Sequence, residues 1–536
     1  MPIDSVYFPD EVFRQWVLEH DINHDGLFNT EPDEYGTVEG RGIVHFSCAN
    51  KGITSLQGIQ YFPDIESIAC SGNQLTDLDV SGCGKLKTLD CAYNNQLKNL
   101  NVSGCENLEK VWCQRTQIIT LNVSGCDRLQ FLNCSQNRLA SLQTGGCPDL
   151  THLYCAYNQL TELDISSNTA LKELACNSNL LTELDVGACN SLTMLACGSN
   201  QLTSLDVSNC TFLSELDCDV NRLTALDVSS CPDLTSLICF TNAITGLDVT
   251  SCTKLTRLYC NGNPLMTLDV SKCILLKQLN CSKNQLTELD VSKCNGLTYL
   301  NCQENQLTTL NLGACAELQT LTANSNLLTS LNLSECAALE WLWCSDNQLA
   351  ELDVQSCPEL VVLWCDGNQL TELDISRCTK LEGVKCQRNK LSQLDVTNCP
   401  TLAACVTEHE RTKLSTGPWN YFGNGDKRIT VYEIYAMREN RDLPHLYIDF
   451  FETVTAGDFT SYPSADEMTP DLILPAGIRT IEDGAFAGVT DKKVYVPGTV
   501  NAISPTAFDP SVVILCPAGS NAESLCRNLG LTVVQQ

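Results

Sequence analysis

The sequence predicts an α/β-type repeat protein, a solenoid of parallel strands built from 21-residue coils with few helices. One cysteine series, which includes Cys113 and Cys134, recurs every 21 residues just before an Asn-containing turn. A second series with the same spacing includes Cys105 and Cys126. A fixed period near 20 residues is typical of arrays in which each coil buries its apolar side against its neighbours. The two series therefore predict one stacked array.

The coil has the sequence L-x-x-L-x-C-x-x-N-x-L-T-x-L-D-V-S-x-C. It resembles the leucine-rich repeat L-x-x-L-x-L-x-x-N-x-L with cysteine at the third leucine. More narrowly, it is similar to the cysteine-ladder repeats of internalin J-type bacterial surface proteins. The resemblance covers residues 43–410, with Thr116 departing from the ladder Asn. It implies strands that line a concave surface, in a protein that is exported.

Charge and hydropathy narrow the range of partners. The 536-residue chain has 64 acidic and 33 basic residues, a net charge of −31. Nucleic acids and anionic membranes attract basic surfaces, so we expect neither as a partner. No apolar run reaches the ~18 residues of a membrane span. The start, "MPIDSVYFPDEVF", lacks the features of a signal peptide. We expect a secreted or cell-surface monomer whose signal peptide has been removed; an intracellular protein is the alternative.

The cysteines are expected to be buried, free thiols. Leu89 and Cys91 lie two residues apart and so share one face of a strand, which is the core face. Neighbouring strands are ~4.8 Å apart, slightly more than the ~3.5–4.5 Å between the Cβ atoms of a disulfide. Asn168 and Ala323 interrupt the two series and would leave partners unpaired. A redox or metal role is the alternative, but zinc-type C-x-x-C spacing is absent.

Aromatic side chains are predicted on the opposite, outward side of the strands, which we call the strand face. This face would hold four of the six tryptophans, although stability does not require them there. The first aromatic patch comprises Trp112, Phe131, His152 and Tyr154, with Tyr93 and Tyr157 on the adjoining turn; the second comprises Trp341, Trp343 and Trp364, near Tyr299. Exposed aromatic clusters are typical of binding surfaces. Stacking that stiffens the sheet, or contact with another domain or copy, is the alternative.

Three non-enzymatic functions fit these observations. The leading hypothesis is an adhesin-like recognition protein that binds a protein ligand, such as a host surface protein. Glycan binding is the second, because Trp and Tyr also stack on sugar rings, and a rigid spacer is the third. We expect no enzyme, since the sequence lacks H-E-x-x-H, G-x-S-x-G and a phosphate-binding glycine loop.

A row of aspartates follows the second turn of the coil and includes Asp164, Asp185 and Asp206. Asn replaces aspartate at positions such as Asn101 and Asn122. Because Asn shares the hydrogen-bonding capacity but not the charge, the exchange favours solvated or turn-capping side chains. Weak binding of divalent cations is the alternative.

The N-terminal segment, residues 1–42, is predicted to be a helical cap with an EF-hand-like loop. An amphipathic helix is expected from Phe8 to His20, with Val12, Phe13, Trp16 and Val17 on its apolar face. The following D-x-N-x-D-G resembles the start of a calcium loop and implies one Ca²⁺ ion held by Asp21, Asn23, Asp25 and the carbonyl of Leu27. Pro32 stands where such loops place their bidentate Glu. A metal-free cap is the alternative.

Two segments are expected after the repeats. Residues 411–470 form a degenerate EF-hand-like segment and a connector. Residues 471–536 contain two motifs that align at a 22-residue offset, matching Pro475 with Pro497, and resemble the leucine-rich repeats of BspA-like surface antigens. Cys516 and Cys526 lie outside both cysteine series. We expect them to form a disulfide or to pack together as two thiols.

Overall fold

The structure is a computed structural model that divides into two compact units, Met1–Leu276 and Lys277–Gln536. It describes residues 3–19, residues 42–402 except 387, 392 and 397, residues 500–535, and the short segments 428–430, 446–447, 453–454, 471–473, 480–481, 493–496 and 498. No helix among them has the length and apolar character to cross a membrane.

The first unit consists of parallel-strand coils. After helix α1 (Glu11–Glu19), its elements are β1 (His45–Ser47), the 3₁₀ turn Ile59–Tyr61, β2 (Ser67–Ala69), β3 (Asp77–Asp79), β4 (Thr88–Asp90), β5 (Asn99–Asn101), β6 (Lys110–Trp112), β7 (Thr120–Asn122), β8 (Phe131–Asn133), β9 (Ser141–Gln143), β10 (His152–Tyr154), β11 (Glu173–Ala175), β12 (Met194–Ala196), β13 (Glu215–Asp217), β14 (Ser236–Ile238) and β15 (Arg257–Tyr259). The main sheet has the order β1-β2-β4-β6-β8-β10-β11-β12-β13-β14-β15. Shorter ladders join β3 to β5 and β7 to β9.

The second unit continues the same coil design. Its elements are β16 (Gln278–Asn280), β17 (Glu288–Asp290), β18 (Tyr299–Asn301), β19 (Thr309–Asn311), β20 (Thr320–Thr322), β21 (Trp341–Trp343), β22 (Val362–Trp364), β23 (Gly383–Lys385), β24 (Gln393–Asp395), β25 (Arg428–Thr430), β26 (Leu446–Tyr447), β27 (Thr453–Val454), β28 (Asp471–Ile473), β29 (Thr480–Ile481), β30 (Lys493–Tyr495), β31 (Ala502–Ile503), β32 (Val513–Cys516), α2 (Asn521–Asn528) and β33 (Thr532–Gln535). The main sheet runs β16-β18-β20-β21-β22-β23-β26, all parallel. A parallel pair joins β17 and β19, and an antiparallel pair joins β24 and β25.

The main-sheet strands from β1 to β23 span three residues each, with the middle residue in the core and, in most of them, the outer two on the strand face. In β8, Leu132 is fully buried, while Phe131 and Asn133 are partly exposed. Leu132 lies opposite Leu153 of the next coil, so the 21-residue period becomes the register of the sheet. The predicted parallel-strand solenoid is confirmed.

A ladder asparagine, replaced in one coil by Thr116, links each coil to the one before it. Asn158 donates from Nδ2 to the carbonyls of Cys134 and Cys155, each at 3.0 Å, and accepts from the backbone N–H of Leu139 at 2.9 Å. The residue before it, Tyr157, has φ 55°, a left-handed conformation that a non-glycine residue rarely adopts. Buried backbone groups need partners, and this side chain supplies them across two coils.

The aspartate row caps the following turn, as the exchange with Asn predicts. Asp164 accepts from the N–H of Ser166 at 3.0 Å and from its hydroxyl at 2.7 Å. These bonds stabilise the carboxylate and lower the pKa of Asp164. Asn122 accepts the same pair of bonds from Ser124, at 2.9 and 2.6 Å. Hydrogen bonding therefore accounts for both residue types at this position.

All cysteines of the described residues are buried and none of them forms a disulfide, in agreement with the predicted thiols. Burial raises the pKa of the Cys231 thiol to about 12, since a low-dielectric surrounding disfavours the thiolate. The interruption at Asn168 is compensated within the core. Its Oδ1 accepts from the Thr144 hydroxyl at 2.8 Å, and its Nδ2 donates to the Cys147 carbonyl at 2.9 Å. Thr144 and Asn168 therefore form a polar pair in the core, and their polar groups bond to each other and to the backbone.

The N-terminal helix differs in detail from the prediction. It begins at Glu11, three residues later than expected, because Asp10 accepts from the N–H of Phe13 at 2.9 Å and caps it. Phe13 and Val17 are buried, but Val12 is 47% exposed, so placing it on the apolar face was wrong. At 100° per residue Val12 points away from the stripe that Phe13 and Val17 share. Asp10 also accepts from the N–H of Thr54 at 2.7 Å, which ties the helix to the first coils.

The C-terminal strands reproduce the 22-residue offset. Asp471 pairs with Lys493 and Thr480 pairs with Ala502, in two separate parallel ladders, β28-β30-β32-β33 and β27-β29-β31. Cys516 and Cys526 are unpaired thiols in one hydrophobic cluster with residues of β30, β32 and α2. The BspA-like assignment and the segment boundaries at 43, 411 and 471 stay predictions.

Candidate binding surface

The first aromatic patch is a connected set of rings on strands β6, β8 and β10. The centroid of Phe131 lies 5.0 Å from that of Trp112, 6.0 Å from that of His152 and 5.5 Å from that of Tyr154. All four side chains are partly exposed on the strand face. The sequence therefore predicted these four neighbours correctly, with Phe131 at the centre.

A carboxylate that the aromatic pattern did not reveal completes the first patch. Glu173 accepts a short hydrogen bond from the Tyr154 hydroxyl and lies 3.8 Å from Nε2 of His152. Partial burial, followed by the bond to Glu173 and its charge, raises the pKa of Tyr154 to about 12. Glu173 stands opposite His152 in the sheet, 21 residues later, so the repeat period would have located it.

The turn beside the first patch adds two exposed tyrosines. Tyr93 and Tyr157 are 47% and 57% exposed, and both occupy the left-handed position before a ladder residue. The guanidinium carbon of Arg115 lies 5.3 Å from the centroid of the Tyr93 ring, a cation–π geometry. The aromatic surface therefore extends from the strands onto the turn, as predicted.

The second aromatic patch is smaller than predicted. Trp343 and Trp364 stand opposite each other on β21 and β22, with ring centroids 5.7 Å apart. Among the described residues no ring contact joins Trp341 to either one, and its cross-strand neighbours are Thr320 and Val362. Tyr299 is two strands from Trp341, with Thr320 between them. The second patch therefore contains one ring pair, Trp343 and Trp364, and not a connected set of three.

Basic side chains occupy the second patch. The Nζ atom of Lys385 lies 3.7 Å from the centroid of Trp364. On the adjoining turn Arg388 pairs with Asp346 at 2.8 Å and with Asp366 at 2.9 Å. The indole N–H of Trp343 is buried and finds no hydrogen-bond acceptor among the residues that the structure describes. Lys385 lies one 21-residue period after Trp364, so the strand register would have located it although the aromatic pattern did not.

A groove of about 740 Å³ follows the aspartate row of the first unit. Its lining includes Ser141, Glu162, Asp164, Glu183, Asp185 and Asp206, and none of the patch residues. Within the described residues, no set of three or more His, Cys, Asp or Glu side chains is arranged to hold a metal ion. The predicted calcium ligands Asp21, Asn23, Asp25 and Leu27 lie outside the described residues.

Comparison with known proteins places the coils in a family. No family model matches the chain, and no curated protein matches its sequence. Among solved structures, the functional domain of InlJ from Listeria monocytogenes, which includes a cysteine ladder, shares 31% identity with a TM-score of 0.55, covering 74% of this chain and 78% of that one. The protein LIC12759 from Leptospira interrogans shares 25% identity with a TM-score of 0.54, covering 63% and 94%.

More distant similarity extends to plant receptors. RGFR1, a plant peptide hormone receptor solved in complex with RGF2, shares 19% identity with a TM-score of 0.50, covering 65% of this chain and 71% of that one. At this identity the likeness concerns the fold alone. The InlJ domain, by contrast, shares the fold at 31% identity and likewise includes a cysteine ladder. The chain therefore belongs to the family of bacterial leucine-rich-repeat proteins with a cysteine ladder.

Proposed function

We propose that this chain is an exported or cell-surface recognition protein that binds a protein ligand, in the manner of an adhesin, through aromatic side chains of the strand face. The observation that carries the proposal is the connected first patch, in which Phe131 contacts Trp112, His152 and Tyr154. The core lies on the other side of the same strands, so folding does not require these rings.

The geometry suits a docking surface. Partly exposed Trp and Tyr side chains contribute much of the binding energy of protein interfaces. The rings stand on short strands whose middle leucines are fully buried, such as Leu132 and Leu153. Little conformational entropy would therefore be lost when a ligand docks. RGFR1, with RGF2 bound, supports the view that this fold can present a surface to a polypeptide.

The experiment tests purified host extracellular and mucosal proteins against the wild-type chain and against two double variants. Trp112→Ala with Tyr154→Ala removes the first patch, and Trp343→Ala with Trp364→Ala removes the second. At ~2 kcal/mol for each aromatic anchor, loss of the patch in use should weaken binding at least a hundredfold. Ser236→Ala, on the strand face but outside both patches, serves as the control and should leave binding unchanged.

A glycan array tests the second candidate function, which is glycan binding. Specific glycan binding that disappears in the same double variants, with no protein bound, would replace the protein ligand by a glycan. If neither double variant changes any interaction of the chain, the rigid-spacer hypothesis is favoured and the rings only stiffen the sheet.

The proposal includes one Ca²⁺ ion at Asp21, Asn23, Asp25 and the Leu27 carbonyl, and it rests on the D-x-N-x-D-G motif alone. Isothermal titration with calcium chloride should show one site, and chelation should lower the unfolding temperature of the N-terminal segment. Asp21→Asn with Asp25→Asn should abolish both effects. Titration without heat, and a melting curve that chelation leaves unchanged, would leave a metal-free cap.

A further inference from the structure

The strand face forms a trough beside the first patch. Along the third strand position, Tyr154 is followed on successive strands by Ala175, Ala196 and Asp217. With strands ~4.8 Å apart, Tyr154 and Asp217 stand ~14 Å apart across two alanines. The trough therefore has an aromatic wall on one side, a carboxylate wall on the other, and small side chains between them.

The carboxylate wall contains two converging aspartates. A Cβ atom built on Gly198 would lie 2.0 Å from Oδ1 of Asp219 and 3.1 Å from Oδ1 of Asp217. Both carboxylates therefore lean over Gly198, at the end of the trough floor, and any larger residue there would displace them. The N–H of Asp219 donates to Asp217 at 3.3 Å. Within the described part of the chain neither aspartate has an ion-pair partner.

Like-charge crowding makes this pair a favourable partner for a cation. Partial burial, followed by the charge of Asp217, raises the pKa of Asp219 to about 6. The neighbouring strand positions supply no basic side chain: Met194 and Ala196 flank the pair on one side, and Ser236 and Ile238 on the other. Glu173 and Glu215 add negative charge at the first strand position.

We propose that the trough between Tyr154 and Asp217 binds an arginine side chain that a protein ligand places beside an apolar one. The proposal rests on the proposed function and adds the chemistry of the partner. A planar guanidinium can donate parallel hydrogen bonds to both converging carboxylates, which a single ammonium group does less well. The apolar neighbour packs against the alanines and the first patch. The net charge of −31 attracts a basic ligand surface at long range.

The test uses a phage-displayed library of random dodecapeptides selected on the immobilised full chain. Selected peptides should be enriched in arginine next to an aromatic or aliphatic residue. Synthetic copies should bind at least tenfold more weakly to Asp217→Asn with Asp219→Asn, since both carboxylate charges are lost. Glu162→Gln with Glu183→Gln removes the same charge from the groove along the aspartate row, and this control should stay within twofold of the wild type.

A second variant tests the same site without changing Asp217 or Asp219. Ala196→Lys places an ammonium group opposite Asp217, so it should fill the trough, pair with the aspartates and weaken the same peptides at least tenfold. Peptides without basic enrichment, or equal affinity for all variants, would overturn the proposal.

The outcomes also separate this inference from the proposed function. If Trp112→Ala with Tyr154→Ala abolishes peptide binding while the aspartate variants bind normally, the protein-ligand function stands and the arginine site is refuted. If no peptide is selected and a glycan array gives binding that depends on Tyr154, both are refuted.

Discussion

The two aromatic patches use similar residues in different ways. In the first, Phe131 contacts three other rings, and Glu173 accepts from the outermost hydroxyl. In the second, one tryptophan pair has a face covered by Lys385, while Trp341 stands apart. A ring whose face already carries a cation offers less of its surface to a ligand. The comparison teaches that counting exposed aromatics does not rank binding surfaces; their neighbours do.

The largest expected effect concerns the centre of the first patch. Phe131→Ala removes three ring contacts, each worth ~0.5–1.5 kcal/mol, and should lower the local unfolding free energy by about 2 kcal/mol. Hydrogen exchange of the β8 and β10 amides measures this directly. The companion change in the second patch, Trp364→Ala, removes one ring contact and one cation–π contact and should cost less. An equal or larger cost for Trp364→Ala would contradict the comparison.

The next prediction concerns the acidic wall beside the first patch. In the folded chain Asp219 keeps its proton up to about pH 6, whereas in the unfolded chain it loses it near pH 4. The folded state therefore binds more protons between these values, and the unfolding free energy falls as the pH rises from about 4 to about 6. The Asp219→Asn variant has no titrating carboxyl group at this position, so it should not show this fall in unfolding free energy.

Above pH 6 the Asp219→Asn variant should be more stable than the wild type by about 1 kcal/mol, after allowance for solvent screening. Below pH 4 the two should be equally stable. Urea unfolding at pH 4 and pH 7.5 measures the difference, with Glu183→Gln as the control. A variant that is less stable at pH 7.5 would show that the pair is already compensated.

The smallest effect is expected for the cation of the second patch. Lys385→Gln should cost about 0.5 kcal/mol, because an exposed cation–π contact is weak. The same change uncovers the face of Trp364, so quenching of tryptophan fluorescence by iodide should increase. Lys380→Gln, which breaks an exposed ion pair with Glu359 instead, serves as the control. Unchanged quenching would mean that Lys385 does not cover the ring.

The repeat period made much of this surface predictable. A 21-residue spacing fixes which side chains stand opposite each other, so Trp112, Phe131 and His152 could be placed on one face without coordinates. Ring orientation depends on rotamers instead, so the spacing that groups Trp341 with Trp343 and Trp364 does not show which of these rings pair. Glu173 and Lys385 lie in the same register, one period from His152 and Trp364, but the aromatic pattern did not reveal them because neither is aromatic. The convergence of Asp217 and Asp219 depends on turn geometry that spacing does not encode.

The asparagine ladder gives the array a direction. Asn158 holds the backbone N–H of Leu139 in the preceding coil, and Asn179 in turn holds that of Leu160. Each coil thus relies on its successor for an acceptor, while its own Nδ2 relies on a carbonyl of its predecessor. Cutting the array between two coils would leave the upstream piece with a backbone N–H that has lost its acceptor. The downstream piece would keep an asparagine whose Nδ2 has lost a carbonyl acceptor. Fragments of this protein are accordingly expected to need different end caps at their two cut ends, so shortening it from one terminus is not equivalent to shortening it from the other.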